Sequence, residues 1–168
     1  MSNREISAFY FLKIAGVYLL LLILLMMNLV YIPLLGTEGG RLAFLLVGIY
    51  FWSIYRPALL PYPLVFGAGL ALDFLSGGLV GLYALCFMIM VIIVKGQRRF
   101  LLGQSWPVIW AGFCVAVVVV TSFQFAAYGL SSWVVPPFIP VAYNLIISFL
   151  LYPMLLPLMI PLNRLLSD

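Results

Sequence analysis

Charged residues are scarce in this chain of 168 residues, and histidine is absent. Only 7% of the residues are charged, whereas a soluble domain carries about 25%. Without histidine, neither a Ser-His-Asp triad nor a histidine-ligated metal site can form. The four acids leave too few candidates for a paired-carboxylate active site. These shortages count against an enzyme, and we expect no cofactor and no metal.

The two cysteines and the net charge also give little indication of chemistry. Cys86 and Cys114 lie within apolar runs, where a free cysteine usually packs as a small hydrophobic residue. The net charge is +4, but the basic residues stand between hydrophobic segments, as membrane orientation signals do. We therefore expect contact with a lipid bilayer and none with nucleic acid.

Apolar sequence is what the chain has in abundance. Hydrophobic residues make up 67% of it, and its mean hydropathy is +1.27. Crossing a bilayer as a helix takes about 20 apolar residues. The sequence therefore predicts an all-α integral membrane protein, a single transmembrane domain over residues 1–168. We expect about six spans, at residues 14–35, 42–55, 58–75, 79–94, 107–128 and 138–162.

The basic residues predict the orientation of these spans. With six spans and a cytoplasmic N-terminus, the C-terminus is also cytoplasmic, and every basic residue except Arg41 falls on the inner side. The span at 58–75 contains Pro61 and Pro63, so a re-entrant loop is an alternative. That alternative would place the basic loop Lys95–Arg99 outside, against the positive-inside rule. We therefore expect residues 58–75 to span the membrane, as one pass of a multi-pass protein.

Asp73 is the only acid inside the hydrophobic bulk of the chain. An acid at the centre of a membrane helix costs about 2.5–3.5 kcal/mol, so something must offset this cost. One interpretation is that Asp73 caps the next helix at Gly77-Gly78 or pairs with Arg41. A second is a site for a partner or ligand. A proton relay is disfavoured because no second intramembrane acid is available.

Glycines surround this acid at short intervals, and a basic residue precedes them. Gly69 lies four residues before Asp73, Gly77 four after it, and Gly81 four further on. Small residues at this spacing let helix backbones approach closely in lipid. The helices of the chain itself or a partner's helix could use such a face, and Gly67 belongs to the same set. Arg56 is too far along the chain to pair with Asp73 and is expected to anchor the topology at the inner surface.

Four polar residues lie on four different predicted spans. Asn28, Asp73, Gln124 and Asn144 each fall in the outer half of their span. Polar side chains in hydrocarbon turn inward and hydrogen-bond to one another. We therefore expect a polar cluster or a shallow cavity that opens toward the outside, serving either as contacts between helices or as a ligand or partner site.

The order of these residues resembles the rod shape-determining MreD family of bacteria, over about a fifth of the chain. The residues that carry the resemblance are Trp52, Arg56, Pro57, Gly67, Gly69, Leu70, Asp73, Ser76, Gly77, Gly81, Ala84 and Leu85. The family implies a non-enzymatic inner-membrane scaffold of the complex for lateral peptidoglycan synthesis. Its partners there would be MreC, the actin-like MreB, and RodA with its partner transpeptidase.

The MreD family is similar in fold to the S-components of energy-coupling-factor transporters, which have six helices and a pocket open to the outside. This similarity implies an S-component-like bundle. It also gives an alternative function, a membrane subunit that binds a vitamin-like small molecule near Asn28, Asp73, Gln124 and Asn144. S-components commonly carry an Ala-x-x-x-Ala pattern on the first helix, and the only alanines there are Ala8 and Ala15. We expect the basic segment Lys95–Arg99 to contact anionic lipid or a cytoplasmic partner.

Overall fold

A computed structural model describes residues 3–29, 43–77, 79–132 and 138–165 of the protein. Within these ranges the chain forms α-helices and one short 3₁₀ helix, η1, and no strand. The helices are α1 (Asn3–Leu29), α2 (Phe44–Tyr55), η1 (Pro57–Leu59), α3 (Tyr62–Ser76), α4 (Leu82–Leu102), α5 (Trp106–Ser132) and α6 (Phe138–Leu165). The predicted all-α class is confirmed.

Two of these helices have the dimensions of a membrane span. Trp106–Leu130 in α5 and Val141–Arg164 in α6 are 25 and 24 residues long and strongly apolar. At ~1.5 Å per residue, each exceeds the ~30 Å hydrocarbon thickness of a bilayer. Three other apolar helical segments in the described ranges are shorter, at 10–17 residues.

Helix α2 lies at the centre of the bundle. Every residue from Phe44 to Ile54 is buried, because α1, α4, α5 and α6 all pack against it. Tyr50 contacts Phe113 of α5 and Tyr152 of α6 edge-on, with ring centroids 5.3 and 5.7 Å apart. Edge-to-face aromatic pairs stabilise a fold beyond the area they bury. A helix that is apolar all round is typical of such a central position.

The end of α2 agrees with the sequence prediction, and the start of α3 does not. Helix α2 ends before Arg56, since a residue that precedes proline disfavours helical geometry. Helix α3 begins at Tyr62 rather than at residue 58, because residues 57–59 form η1. Pro61 precedes α3 and Pro63 lies in its first turn, where proline is well tolerated. The two prolines therefore start a helix and do not interrupt one.

The predicted basic loop at Lys95–Arg99 is wrong, because these residues are part of α4. The helix continues to Leu102 and ends at the turn that begins with Gly103. Lysine and arginine are good helix formers, and cations in the last turns of a helix are favoured by its dipole.

Helix α1 begins at Asn3, so most of the polar head that precedes the first predicted span is also helical. The outer turn around Arg41, and with it any pairing of Arg41 with Asp73, lies outside the described residues.

Candidate functional site

The Asp73 side chain, near the end of α3, caps the start of α4. One carboxyl oxygen accepts the backbone N–H of Tyr83 at 2.9 Å, and the other accepts those of Gly81 and Ala84 at 3.0 and 3.3 Å. The first N–H groups of a helix have no partner within the helix itself, and negative charge is favoured there. Asp73 is only 1% exposed. This contact accounts for the buried acid, although α4 begins at Leu82 rather than at Gly77-Gly78.

Two glycines form the turn that brings Asp73 to this position. Gly77 has φ +63° and Gly81 has φ +93°, a left-handed region in which side chains with a Cβ are strained. Gly77 directly follows α3 and Gly81 directly precedes α4. The prediction that both belong to a small-residue helix face is therefore wrong, because neither lies within a helix. Their four-residue spacing reflects the length of the turn.

Gly69 lies where the backbones of α3 and α4 touch. A Cβ atom added at Gly69 would stand 2.4 Å from Ala84 Cα and 2.7 Å from Ala84 N. No side chain fits at this distance, so the crossing requires glycine. Gly69 precedes Asp73 by about one helical turn, and the close approach brings the acid within reach of the α4 backbone. Gly69 thus serves packing inside the protein.

Gly67 is the one glycine of the set that lies on an exposed helix surface. A Cβ added there would meet no atom within 4 Å. The neighbouring Phe66 and Phe74 of α3 are 45% and 65% exposed. We call this exposed part of α3, where Gly67 has no side chain, the notch. Of the four glycines, only Gly67 has no role in the described packing.

Three of the four polar residues that the sequence analysis grouped together line one small cavity. Asn28, Gln124 and Asn144 contribute to its wall, with Ser148 of α6 and Thr121 of α5. The cavity volume is about 60 Å³, which suffices for a few water molecules. Thr121 was missed, although it precedes Gln124 by three residues and so shares its face of a helix.

Asp73 is not among the residues that line this polar cavity, which corrects the expectation of a four-residue cluster. Its carboxyl group accepts N–H groups of the backbone at the start of α4, and of these donors only Tyr83 lines the cavity. Asn28 also contacts a helix start, because its Oδ1 accepts the N–H of Leu45 in the first turn of α2 at 3.5 Å. The polar cavity therefore holds uncharged amides and hydroxyls.

Arg56 lies far from both features. Its Nε donates a hydrogen bond to Asn163 Oδ1 near the end of α6, at 3.3 Å. Arg56 follows α2 and precedes α3, whereas Asp73 stands near the other end of α3. The two residues do not approach each other, which confirms the prediction that Arg56 is too far along the chain to pair with Asp73. Asn163 had no sequence signal beyond its place before Arg164.

Two cations of α4 are bound at the same end of the bundle as Arg56. Lys95 Nζ donates to the backbone oxygen of Leu60 at 2.6 Å and stands 4.4 Å from the centre of the Tyr62 ring. Arg98 Nε donates to the backbone oxygen of Ile54 at 2.7 Å. These oxygens belong to the last turn of α2 and to the residue after η1, where carbonyl groups lack partners within the helix. The cations thus satisfy the ends of neighbouring elements.

Comparison with known proteins does not add to this geometry. No family model, curated protein or solved structure matches the chain. Among the residues that the structure describes, no three His, Cys, Asp or Glu side chains come together in a way that could hold a metal ion. The functional assignment therefore depends on the MreD-like motif and on the surfaces described above.

Proposed function

We propose that the chain is a multi-pass scaffold of the bacterial inner membrane, a non-enzymatic subunit of the complex for lateral peptidoglycan synthesis that maintains rod shape. All six helices would lie in the bilayer in an S-component-like bundle with both termini cytoplasmic. The membrane location is supported by the two helices of spanning length. It is also supported by the many large apolar side chains on the outer surface of the helices, because a soluble monomer rarely exposes so much apolar area.

The observation that carries this proposal is the exposed notch at Gly67. The other glycines of the MreD-like motif are required by the α3–α4 turn and crossing, whereas Gly67 is not. In lipid, small residues on a helix surface allow a second helix to approach closely. We propose that a membrane helix of a partner packs against α3 there. The family resemblance makes MreC and RodA the candidates, with MreB and the transpeptidase joined to the same complex.

The polar cavity favours a second candidate, the small-molecule subunit of a vitamin transporter. Its amides and hydroxyls are groups that orient a ligand. However, its volume of about 60 Å³ is several times smaller than the 300–1,000 Å³ typical of small-molecule sites. A vitamin-sized molecule would require the helices around Asn28 and Asn144 to separate. The scaffold is therefore the function that the geometry supports better.

The test is a mild-detergent pull-down of the tagged full chain from a rod-shaped bacterium, with bound proteins and small molecules both identified. The variants are Gly67→Leu and, as a matched control, Gly96→Leu. Gly96 is also an exposed helical glycine with no atom within 4 Å of an added Cβ. We expect the wild type and Gly96→Leu to recover MreC or the wall-synthesis enzymes, and Gly67→Leu to lose them without a loss of stability.

One outcome would contradict the scaffold proposal, and another would contradict only the notch as its docking surface. Recovery of a stoichiometric vitamin-like molecule with transporter subunits would establish the second candidate, with the polar cavity as its site. Recovery of the same partners by the wild type and by Gly67→Leu would show that the notch is not the docking surface. Gly77→Leu is unsuited to this test because Gly77 has a positive φ, and any lost assembly could follow from a distorted turn.

A further inference from the structure

An apolar groove lies between α1 and α3, with α2 as its floor. Its volume is about 300 Å³. The residues that line it are all apolar apart from one tyrosine: Tyr18, Leu21, Leu22, Leu25, Leu45, Ile49, Leu60, Leu64, Val65 and Ala68. Leu60 and Leu64 form one end of the groove, at the start of α3, and Leu25 and Leu45 lie toward the other end.

A cation stands at the Leu60 end of this groove. The Leu60 backbone oxygen accepts the hydrogen bond of Lys95 Nζ, so the ammonium group lies directly beside a residue that forms the groove wall. An ammonium group has three donors, and this contact uses one. The hydrogen bonds of Arg56 and Arg98 also go to neutral oxygens, those of Asn163 and Ile54. Lys95 does not itself line the groove, but its ammonium group is held at the backbone of Leu60, which does.

We propose that this groove, the α1–α3 groove, binds an anionic phospholipid, with an acyl chain along α1 and α3 and the phosphate at Lys95. The inference rests on the proposed function only in that the chain must lie in a bilayer. Charge complementarity identifies the ligand, because an apolar channel with a cation at one end matches a molecule with a long apolar tail and an anionic head. Basic residues at a membrane surface attract anionic lipid in the same way.

The groove between α4 and α5 provides an internal comparison. It is larger, at about 420 Å³, and also mostly apolar, but the polar side chain that α4 contributes to its lining is the neutral Gln97. No charged side chain is found among the described residues that line it. A lipid tail fits there as well, without a cation to select the headgroup. The α1–α3 groove should therefore discriminate between headgroups, and the α4–α5 groove should not.

The test is native mass spectrometry of the full chain in detergent, with phosphatidylglycerol or phosphatidylcholine of identical acyl chains added. We expect the wild type to retain phosphatidylglycerol about fivefold more than phosphatidylcholine, as one basic residue near an anionic headgroup would provide. In Lys95→Gln this preference should fall to about equal binding, because the amide can replace the hydrogen bond to Leu60 but not the charge. Lys95→Arg should keep it. Arg99→Gln, which removes an exposed cation of the same helix, should also keep it.

Two groove variants test the position of the tail. Ala68→Phe fills the α1–α3 groove and should abolish the preference, whereas Ala111→Phe in the α4–α5 groove should leave it unchanged. Equal binding of the two lipids by the wild type, or equal effects of Lys95→Gln and Arg99→Gln, would overturn the inference. So would an Ala68→Phe variant that keeps the lipid preference but loses a membrane protein partner.

Fractionation of the cells separates this inference from the proposed function. A chain found in the soluble fraction would contradict both. A chain that stays in the membrane fraction and recovers the elongation partners, but shows no lipid preference, would contradict the lipid site alone.

Discussion

The two hairpins α1–α2 and α3–α4 are built on the same plan but differ in how firmly they are fixed. In each, a polar side chain near the end of the first helix accepts backbone N–H groups at the start of the second. That residue is Asp73 in α3–α4 and Asn28 in α1–α2. Each also has a buried glycine against the neighbouring helix, Gly69 and Gly48 respectively.

The two hairpins differ in what their buried glycine faces: backbone atoms in α3–α4 and side chains in α1–α2. Asp73 accepts three N–H groups at 2.9–3.3 Å, and Gly69 faces the Ala84 backbone. Asn28 accepts one N–H group at 3.5 Å, and Gly48 faces the side-chain ends of Leu24 and Leu21. Side chains can rotate away from an added atom, and the backbone of a packed helix cannot. The α3–α4 hairpin should therefore be the rigid one, and it is the hairpin that contains Gly69, Asp73, Gly77 and Gly81 of the motif.

Gly69→Ala should have the largest effect on stability. Its Cβ would lie 2.4 Å from Ala84 Cα, so α3 and α4 must separate, and overpacking of this kind costs about 3 kcal/mol. The measurement is the free energy of unfolding in mild detergent, from denaturant titration. Gly67→Ala, two residues away with open space, is the control and should change stability by less than about 1 kcal/mol. Equal effects of the two substitutions would show that the helices do not cross at Gly69.

Asp73→Ala should follow, with a loss of about 2 kcal/mol. It leaves the N–H groups of Gly81, Tyr83 and Ala84 without their acceptor, and a buried unsatisfied donor costs about 1–3 kcal/mol. Asp73→Asn should lose less, because one oxygen is retained. The same unfolding measurement, combined with the amount of protein in the membrane, checks both variants. An Asp73→Asn variant that is as stable as the wild type but recovers no partner would assign the acid to a partner instead.

The residue types and their order predicted much of this hairpin, but not its geometry. An acid among apolar residues needs a partner, and capping of the next helix was one of the expected solutions for Asp73. The four-residue spacing of Gly77 and Gly81 was interpreted as a helix face, whereas both residues have positive φ in a turn. Spacing alone cannot distinguish the two, because a turn of four residues and a helical turn give nearly the same interval.

Orientation within the bundle was the other part that the sequence did not predict. Gly67 and Gly69 are equivalent as residues, and only the packing of α4 on α3 makes one exposed and the other buried. The grouping of Asn28, Gln124 and Asn144 was predictable because polar side chains on apolar helices turn inward. The end of α4 was harder to predict, because the residues Lys95 to Arg99 are as compatible with a helix as with a loop.

Gly48→Ala tests the adaptable hairpin and should cost about 1 kcal/mol. The added Cβ would stand 2.8 Å from Leu24 Cδ1 and 3.1 Å from Leu21 Cδ2, both at the flexible ends of side chains. A double variant with Leu24→Val should recover part of the loss, because the shorter side chain makes room. Unfolding free energies of the two single variants and the double variant give the interaction term. A loss as large as that of Gly69→Ala, without recovery in the double variant, would show that the two crossings are equally rigid.

Asn28→Ala should have the smallest effect, about 0.5–1 kcal/mol, the range for a neutral capping hydrogen bond. The Leu45 N–H that loses its acceptor lies in the first turn of α2, beside the polar cavity that Asn28 lines. A water molecule in the enlarged cavity can take the place of the Asn28 oxygen, whereas the loss of the Asp73 carboxyl group leaves three N–H groups to be satisfied at once. The losses in unfolding free energy of Asn28→Ala and Asp73→Ala, measured under identical conditions, should therefore differ by at least about 1 kcal/mol. If the two substitutions cost the same, charge and the number of hydrogen bonds do not determine the strength of these caps, and the rigidity of the α3–α4 hairpin must come from the Gly69 crossing alone.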